Sequence, residues 1–330
     1  SASIDDGHLI FNMLYKMKIN FTFIIPHYNT PHLLLRCLNS IPSREDIQII
    51  VIDDCSPDTP ELIKITKQIQ QIPYIEFYRT PQSGSAGRAR NIGIEHAQGK
   101  WLIFADADDF FSEKLEYAMN TYLNAKEDIV FFNFQSVMSE NISQISHRES
   151  EYNTYFEEYR KNQNENNFRF QYITPWGKFV KRKLVEDYHI RFDETRYAND
   201  VMFSILAGCT AKEILPVDIP LYIVTERTGS LTSNFCQKKG ETAIRTQVAL
   251  NAYNTIIKYG YDFSFNYQMF IQILVYNKEY KDLISIFHTI GNYGINKFNI
   301  LRIIYKIGPR HFILCLRLIA TDIWLTLYNR

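Results

Sequence analysis

The stretch GSAGRARNIGIEHAQGKWLIFADADDFF, residues 84–111, decides the fold class. Its first half predicts a helix over about 86–97, which Gly99 ends. The run 101–105 is short and continuously apolar, which is typical of a strand that is buried on both faces. Three acids then follow within four positions, Asp106, Asp108 and Asp109. A helix that leads into a buried strand with acids at its end indicates an α/β unit that carries its chemistry at the strand terminus.

The same alternation runs through the first 135 residues. Further buried strands are predicted at 21–25, 47–52, 74–78 and 128–134. Thr30-Pro31 and Thr59-Pro60 each have the residue types of a helix N-cap followed by proline in the first turn. Strand–helix alternation of this kind predicts an α/β fold with a Rossmann-like, mostly parallel sheet flanked by helices.

Acids cluster where two of the predicted strands end. Ligands bind at the carboxyl ends of the strands of an open parallel sheet, so these acids are expected at one rim. The set is Asp53, Asp54, Asp106, Asp108 and Asp109. Each acid alone also suits a helix N-terminus or a turn, where it meets free backbone N–H groups. Together they repel one another unless a cation offsets the charge, which favours a hard divalent cation that carries phosphate oxygens.

The segment PQSGSAGRARNIG, residues 81–93, supplies a second phosphate-binding feature. Gly84 and Gly87 are expected to let the backbone approach a ligand closely, and Arg88 and Arg90 offer planar charge for a diphosphate. The spacing matches neither G-x-G-x-x-G nor a P-loop. For either arginine the alternative is a solvated helix face.

Composition limits the remaining classes. Lys+Arg and Asp+Glu balance at 36 each in 330 residues, so no overall field predicts a nucleic-acid partner. Five dispersed cysteines without paired spacing favour reduced thiols in a cytoplasmic protein. Residues 1–16 are expected to be a leader or a cloning remnant that precedes the folded part. We find no apolar run of membrane-spanning length in the sequence.

Four segments together resemble family 2 glycosyltransferases of the GT-A fold. They are FTFIIPHYNTPHLLLRCLNSI, IQIIVIDDCSPD, the stretch quoted first, and PWGKFVKRKL with RFDETRYANDVMFSIL. The resemblance runs from about residue 20 to 235 and implies a catalytic domain over 17–235. It also implies a nucleotide-sugar donor, most consistent with a UDP-sugar, and a saccharide or lipid-linked saccharide acceptor in surface polysaccharide or glycoconjugate synthesis.

The resemblance assigns residues around the donor. Asp108 would bind Mn²⁺ or Mg²⁺ on the diphosphate, and Asp106 would contact the ribose or share the metal. The base pocket would be formed by Tyr28 and the backbone of Pro26. Asp54 would accept a hydrogen bond from the ring N–H of the base. Arg90 would lie near the nucleotide.

The resemblance also places the catalytic base and an inverting, single-displacement transfer. The base is the Asp of a Glu-Asp pair that opens a later helix, and here that pair reads Asn199-Asp200. Asp200 is therefore expected to be the base, against the alternative of an ordinary N-cap acid. Arg227, in YIVTERTGSLTSN, is a candidate for a lid over the diphosphate. Trp176 is expected either beneath an acceptor sugar or in the core.

Two other functions compete with transfer. A phosphatase of the haloacid dehalogenase type also uses a D-x-D at a strand end. That family places the motif in its first strand, however, and here Phe110 stands where it has Thr or Val. A glycosyltransferase-like protein that binds without turnover is the alternative from a different class, and Asn199 favours it.

Two regions depart from the strand–helix alternation of the first 135 residues. The polar segment 136–170 is predicted to be a partly helical insertion, and helical patterns dominate residues 236–330. From residue 283 onward there are six Lys or Arg residues and one acid, and the basic residues alternate with apolar and aromatic ones. Such helices suit peripheral contact through 297–328 with the inner face of a membrane, packing on the catalytic domain, or a homodimer contact.

Overall fold

The computed structural model describes residues 18–146, 148–227, 238 and 240–328, with side chains placed to residue 322. The expected leader at 1–16 and most of the expected lid, from residue 228, lie outside this part. The strands are β1 (Phe21–His27), β2 (Ile47–Asp53), β3 (Ile75–Arg79), β4 (Trp101–Phe104), β5 (Phe110–Phe111), β6 (Ile129–Met138), β7 (Asn141–Ile145), β8 (Lys178–Lys181) and β9 (Ile214–Glu226).

Helices cover the sheet and form the C-terminal region. They are α1 (Pro31–Asn39), α2 (Pro60–Ile69), α3 (Ala86–His96), α4 (Leu115–Tyr122), α5 (Ser150–Asn162), α6 (Asn166–Phe170), α7 (Arg182–Asp187), α8 (Val201–Thr210), α9 (Glu241–Lys258), α10 (Tyr267–Tyr276), α11 (Tyr280–Thr289), α12 (Lys297–Ile307) and α13 (Pro309–Tyr328). A 3₁₀ turn, Ile290–Tyr293, joins α11 to α12. None of the helices in the described ranges is both long enough and apolar enough to cross a membrane.

One mixed sheet organises the N-terminal two thirds, in the order β3-β2-β1-β4-β8-β6-β9-β5, with β7 beside β6. The first four strands are parallel, as the sequence predicts. The chain moves outward from β1 to β3 and then returns to the other side of β1 with β4. The order therefore reverses between β1 and β4, which is where open α/β sheets bind ligands.

The fifth predicted strand, β6, does not lie next to β4. The short strand β8 lies between them and is antiparallel to both. β9 then pairs in parallel with β6 over most of its length. Antiparallel pairs therefore occur only in the second half of the sheet, beside the long parallel pair of β6 and β9.

The polar segment 136–170 is partly helical, as predicted, and its helices contribute side chains to the core, whereas β7 is exposed. Tyr155 and Phe156 of α5 and Phe168 of α6 are buried in the main hydrophobic cluster, and the rings of Phe156 and Phe168 lie 4.8 Å apart. The polar residues that dominate its composition occupy the outer face of α5.

The C-terminal region is helical, as predicted, and has a core of its own. Leu250, Ile271, Leu274 and Ile304 are among its fully buried residues. A smaller cluster, which includes Ile205 of α8 and Ile256 of α9, joins these helices to the sheet domain.

Candidate active site

The carboxyl ends of β1, β2 and β4 carry the residues that the sequence singles out. Tyr28 follows β1, Asp54 follows β2, and Asp106 follows β4 after one alanine. Their strands are adjacent in the sheet, so these side chains lie along one rim. This rim is the floor of the candidate site.

Asp106 is held by a buried arginine. Arg90, on α3, donates from Nη2 to Asp106 Oδ1 at 2.6 Å and from Nη1 to Asn199 Oδ1 at 2.9 Å. The guanidinium also lies 5.3 Å from the centre of the Phe192 ring, and Arg90 is only 5% exposed. The two acceptors and the aromatic neighbour fix the orientation of the planar guanidinium. Arg90 therefore links Asp106, at the end of β4, to Asn199 in the segment that precedes α8.

Asp108 has a different arginine partner. Arg227, just after β9, donates from Nη2 to Asp108 Oδ2 at 2.9 Å. Burial raises the pKa of the Asp108 carboxyl, the charge of Asp106 raises it further, and Arg227 acts in the opposite direction. The Arg227 guanidinium is thus the positive group that contacts the Asp108 carboxylate in this structure.

Asp109 is structural. It is 3% exposed and accepts a hydrogen bond at 2.6 Å from the backbone N–H of Thr225 on β9. Burial, with the charges of Asp108 and Asp106, raises its pKa well above the usual range of a carboxyl. The repulsion among the three acids is therefore offset by two arginines, a backbone donor and a tendency of Asp109 to hold a proton.

Asp54 shapes the glycine-containing loop that precedes α3. Its two carboxylate oxygens accept from the backbone N–H of Gly84 at 2.9 and 3.1 Å, and Ser83 and Thr80 are within 3.3 Å. It is 8% exposed, so it lies below the rim rather than on it. Its predicted contact with a nucleotide base stays a prediction.

The neighbouring Asp53 fixes the end of β1. His27 Nε2 accepts from the Thr30 backbone N–H at 3.1 Å, so its Nδ1 carries the proton that it shares with Asp53 at 2.7 Å. Burial opposes ionisation of Asp53, but hydrogen bonds from His27 and Ser56 hold the pKa of Asp53 below its usual value. Next to this rigid corner Tyr28 is 54% exposed and Pro26 is half-buried, which leaves an aromatic surface at the predicted base pocket.

Asp200 occupies the N-cap position of α8. Among the described residues its side chain makes no capping hydrogen bond, so its carboxylate does not stabilise the helix start in the usual way. Burial raises the pKa of Asp200, and the nearby Arg90 and Lys178 charges oppose that rise. Because Arg90 also binds Asn199, the preceding residue, Asp200 is positioned relative to Asp106 through one guanidinium.

The structure decides two expectations for individual residues. Trp176 is 4% exposed and stacks on Tyr222 at 5.2 Å, so it is a core residue rather than a sugar platform. Gly87 lies against the protein and not against a ligand space, because a Cβ there would lie 2.0 Å from the Asp193 carbonyl oxygen. That contact lets α3 approach the segment that precedes α8.

Sequence reasoning gave no role to two basic residues that the structure places here. Arg36, on α1, donates to the Asp108 carbonyl oxygen at 2.5 Å. Lys178 is buried, with its ammonium 2.5 Å from the Tyr172 carbonyl oxygen and 2.7 Å from that of Thr174, and burial lowers its pKa to about 7. The signal for Lys178 was present in PWGK, since a lysine in an apolar strand implies a buried partner.

The residues present fit a divalent cation that arrives with its ligand. Mg²⁺-type sites commonly use one or two carboxylates together with substrate phosphates. Asp106 and Asp108 offer those carboxylates, each with one oxygen bound to an arginine. Within the described ranges no group of three or more His, Cys, Asp or Glu residues could hold a metal by itself.

The sheet, its flanking helices and the acids at its rim define the GT-A class of glycosyltransferase folds. The sequence model described as "Glycosyl transferase family 2" matches residues 22–188, and the chain belongs to this family. The predicted family and fold are thereby confirmed.

Characterised relatives agree with this assignment. The chain is 27% identical over 239 residues to the glycosyltransferase GlyA of Streptococcus pneumoniae, which covers 68% of this chain and 33% of that protein. It is 25% identical over 233 residues to the poly(ribitol-phosphate) beta-N-acetylglucosaminyltransferase TarS of Staphylococcus aureus, covering 66% and 37%. The chain thus spans about a third of the length of these relatives.

A solved structure is similar in fold. The crystal structure of S. aureus TarS 1–349 in complex with UDP-GlcNAc superposes with a TM-score of 0.62, covering 86% of this chain and 82% of that one at 18% identity. At this identity the likeness is one of fold.

Proposed function

We propose that this chain transfers a sugar from a UDP-sugar to an acceptor hydroxyl of a surface polysaccharide or glycoconjugate, with inversion at the anomeric carbon and with a divalent cation. One observation carries the proposal. Arg90 joins Asp106, at the donor rim, to the Asn199-Asp200 pair, whose acid has no capping role among the described residues. A positioned base and a diphosphate-binding rim are the two parts that such a transfer requires.

The donor and acceptor classes take support from the relatives. TarS is named for transfer of N-acetylglucosamine to poly(ribitol-phosphate) and was solved with UDP-GlcNAc. In this chain the exposed Tyr28 would offer its ring to a base, and the loop at Gly84 is held by Asp54. The Asp54 carboxylate would accept a hydrogen bond from the ring N–H of uracil, which guanine and thymine also have, so the choice of uracil takes its support from the relatives.

The chemistry assigned to the chain follows from the positions of its groups. Asp200 takes the proton of the acceptor hydroxyl as the oxygen bonds to the anomeric carbon, and the bond from that carbon to the diphosphate breaks with its electron pair leaving on UDP. Positioned proton transfer of this type contributes roughly 10²–10⁴-fold. Asp106 and Asp108 would hold the cation, which when bound neutralises charge on the leaving diphosphate. Arg90, by binding both Asp106 and Asn199, would fix the position of Asp200 relative to Asp106.

Binding that depends on the cation tests the donor site. We would titrate UDP into the protein by calorimetry with Mn²⁺ and with EDTA, and repeat both with Asp108→Ala. The matched control is Asp187→Ala, which removes an exposed acid at the end of α7. Binding that requires Mn²⁺ and is lost only in Asp108→Ala is the expected result.

Turnover separates the enzyme from a binding protein. Release of UDP from UDP-GlcNAc or another UDP-sugar, lost in Asp200→Asn while UDP still binds, supports transfer. Tight UDP binding without turnover on any donor or acceptor would instead favour the non-catalytic alternative. Binding of GDP or dTDP in place of UDP would overturn the donor assignment.

A further inference from the structure

The C-terminal helices carry an exposed surface that the proposed reaction does not use. On α12, Phe298, Arg302 and Tyr305 follow one another at helical spacing, and on α13, Arg310, Ile313 and Arg317 do the same. We call these six residues the basic–aromatic face. Phe298 is 75% exposed, Tyr305 61% and Ile313 51%, which is unusual for side chains of this size and polarity.

The opposite sides of both helices are already occupied. Ile300 and Ile304 of α12 and Cys315 and Ile319 of α13 are buried in the C-terminal core. The rings of Tyr305 and Phe312 meet at 5.4 Å and connect the two helices. The basic–aromatic face is therefore exposed and takes no part in the C-terminal core.

The charge of this face is uncompensated in the described chain. Arg302, Arg310 and Arg317 form no ion pair there, and neither does the adjacent Lys306. Asp322 is the one acid in residues 283–330, and it pairs with His288 at 2.7 Å. The whole chain has equal numbers of basic and acidic residues, so the excess of positive charge is specific to this region.

We propose that the basic–aromatic face docks on the surface of an anionic lipid bilayer. Large apolar side chains among exposed cations match the two components of such a surface, its acyl boundary and its acidic headgroups. A nucleic acid would use the cations and could stack a base on Phe298, but it would gain nothing from Ile313. A second copy of the chain meeting the same face would bring arginines against arginines, which disfavours a homodimer through it.

Sedimentation with vesicles tests the docking. The 330-residue protein is mixed with vesicles of phosphatidylcholine alone or with ~30% phosphatidylglycerol, and the bound fraction is measured at low and high salt. Binding is expected to the anionic vesicles, weakened by salt, and at least tenfold stronger than to phosphatidylcholine. Equal binding to both vesicles, or binding to neither, would overturn the proposal.

Variants locate the surface. Arg302→Glu with Arg310→Glu is expected to lower binding to anionic vesicles about tenfold or more, and Phe298→Ser with Ile313→Ser to lower it severalfold. Lys126→Glu with Lys183→Glu is the control, because both lysines are exposed and lie on the sheet domain. Binding unchanged in the face variants, or a wild-type dimer that the face variants dissociate, would refute lipid docking at this face.

The two proposals can fail separately. UDP titration and the thermal melt of each face variant should match those of the wild type, because none of these residues contacts the donor rim. A variant that loses vesicle binding and keeps UDP binding supports lipid docking without reference to catalysis.

Discussion

Asn199 accepts a hydrogen bond at 2.9 Å from Arg90, whose other terminal nitrogen holds Asp106 at 2.6 Å. The resemblance places Glu at position 199, so a neutral amide here replaces a charged acceptor. Arg90 therefore has one carboxylate partner rather than two, and Asp106 is its counter-ion. The Asn199 amide accepts the Arg90 hydrogen bond without carrying a charge.

The amide at position 199 should be needed for rate more than for fold. Asn199→Ala leaves a buried Arg90 N–H without its acceptor. We expect the transfer rate to fall about 10–100-fold, because Arg90 would no longer fix the position of Asp200 relative to Asp106. Asn199→Asp restores an acceptor and should recover most of the rate. Steady-state transfer assays, with melting temperatures measured beside them, check this; a wild-type rate in Asn199→Ala would show that Asp106 alone orients Arg90.

The buried position of Asp200 predicts the acidic limb of the pH profile. Burial raises its pKa, and the proposed base acts only when ionised, so kcat/KM should fall as the pH drops through a value above the ~3.9 of an ordinary Asp. Arg90 opposes the rise, so Arg90→Gln should move this limb to higher pH. The profile of kcat/KM between pH 4 and 8 measures both; a limb that stays in place in Arg90→Gln would contradict the electrostatic link.

Arg227 should have opposite effects on the cation and on the nucleotide. Removing its charge from beside Asp108 is expected to raise the affinity for Mn²⁺ alone by about fivefold, a surface-type charge effect of ~1 kcal/mol. If Arg227 also contacts the diphosphate, the affinity for UDP with Mn²⁺ should fall in the same Arg227→Ala variant. Paramagnetic resonance of free Mn²⁺ and calorimetry give the two affinities. Arg160→Ala, which removes an exposed arginine paired with Asp218, serves as the control, and an unchanged Mn²⁺ affinity in Arg227→Ala would refute the idea.

Gly87 should be intolerant of a single methyl group. A Cβ would lie 2.0 Å from the Asp193 carbonyl oxygen, and this backbone atom cannot move without shifting α3 or the loop before α8. We expect Gly87→Ala to destabilise the fold by ~1–3 kcal/mol despite the better helix propensity of alanine. Urea unfolding measures it. Gly291→Ala, where nothing lies within 4 Å, should change little, and equal stability of the two variants would contradict the predicted clash.

Much of the fold could be predicted because its signals are local. Continuous apolar runs gave the parallel strands, and Thr59 does cap α2 by accepting from the Leu62 N–H. Thr30 has the same signal, yet its side chain makes no capping hydrogen bond, although Pro31 begins α1 as predicted. Capping depends on backbone geometry that neighbouring segments set, and the dipeptide alone does not fix it.

What the sequence could not supply was the choice of distant partners. β8 has four residues and enters the sheet between β4 and β6, a pairing that no short-range pattern encodes. The roles of the three acids likewise depend on their hydrogen-bond partners, which the sequence does not specify. Asp109 accepts from the backbone N–H of Thr225, whereas Asp108 pairs with Arg227. Trp176 is a similar case, because only its exposure distinguishes a sugar-stacking residue from a core residue, and the sequence does not give that exposure.

The contacts of β9 have a practical consequence for dissecting this protein. Tyr222 accepts from the Asp106 N–H at 2.8 Å, Thr225 contacts Asp108 and Asp109, and Arg227 reaches the Asp108 carboxylate. The family match ends at residue 188, well before all of them. A fragment or chimera cut at that boundary would keep every residue of the acidic motif and lose what holds it in shape, so any junction belongs beyond Arg227.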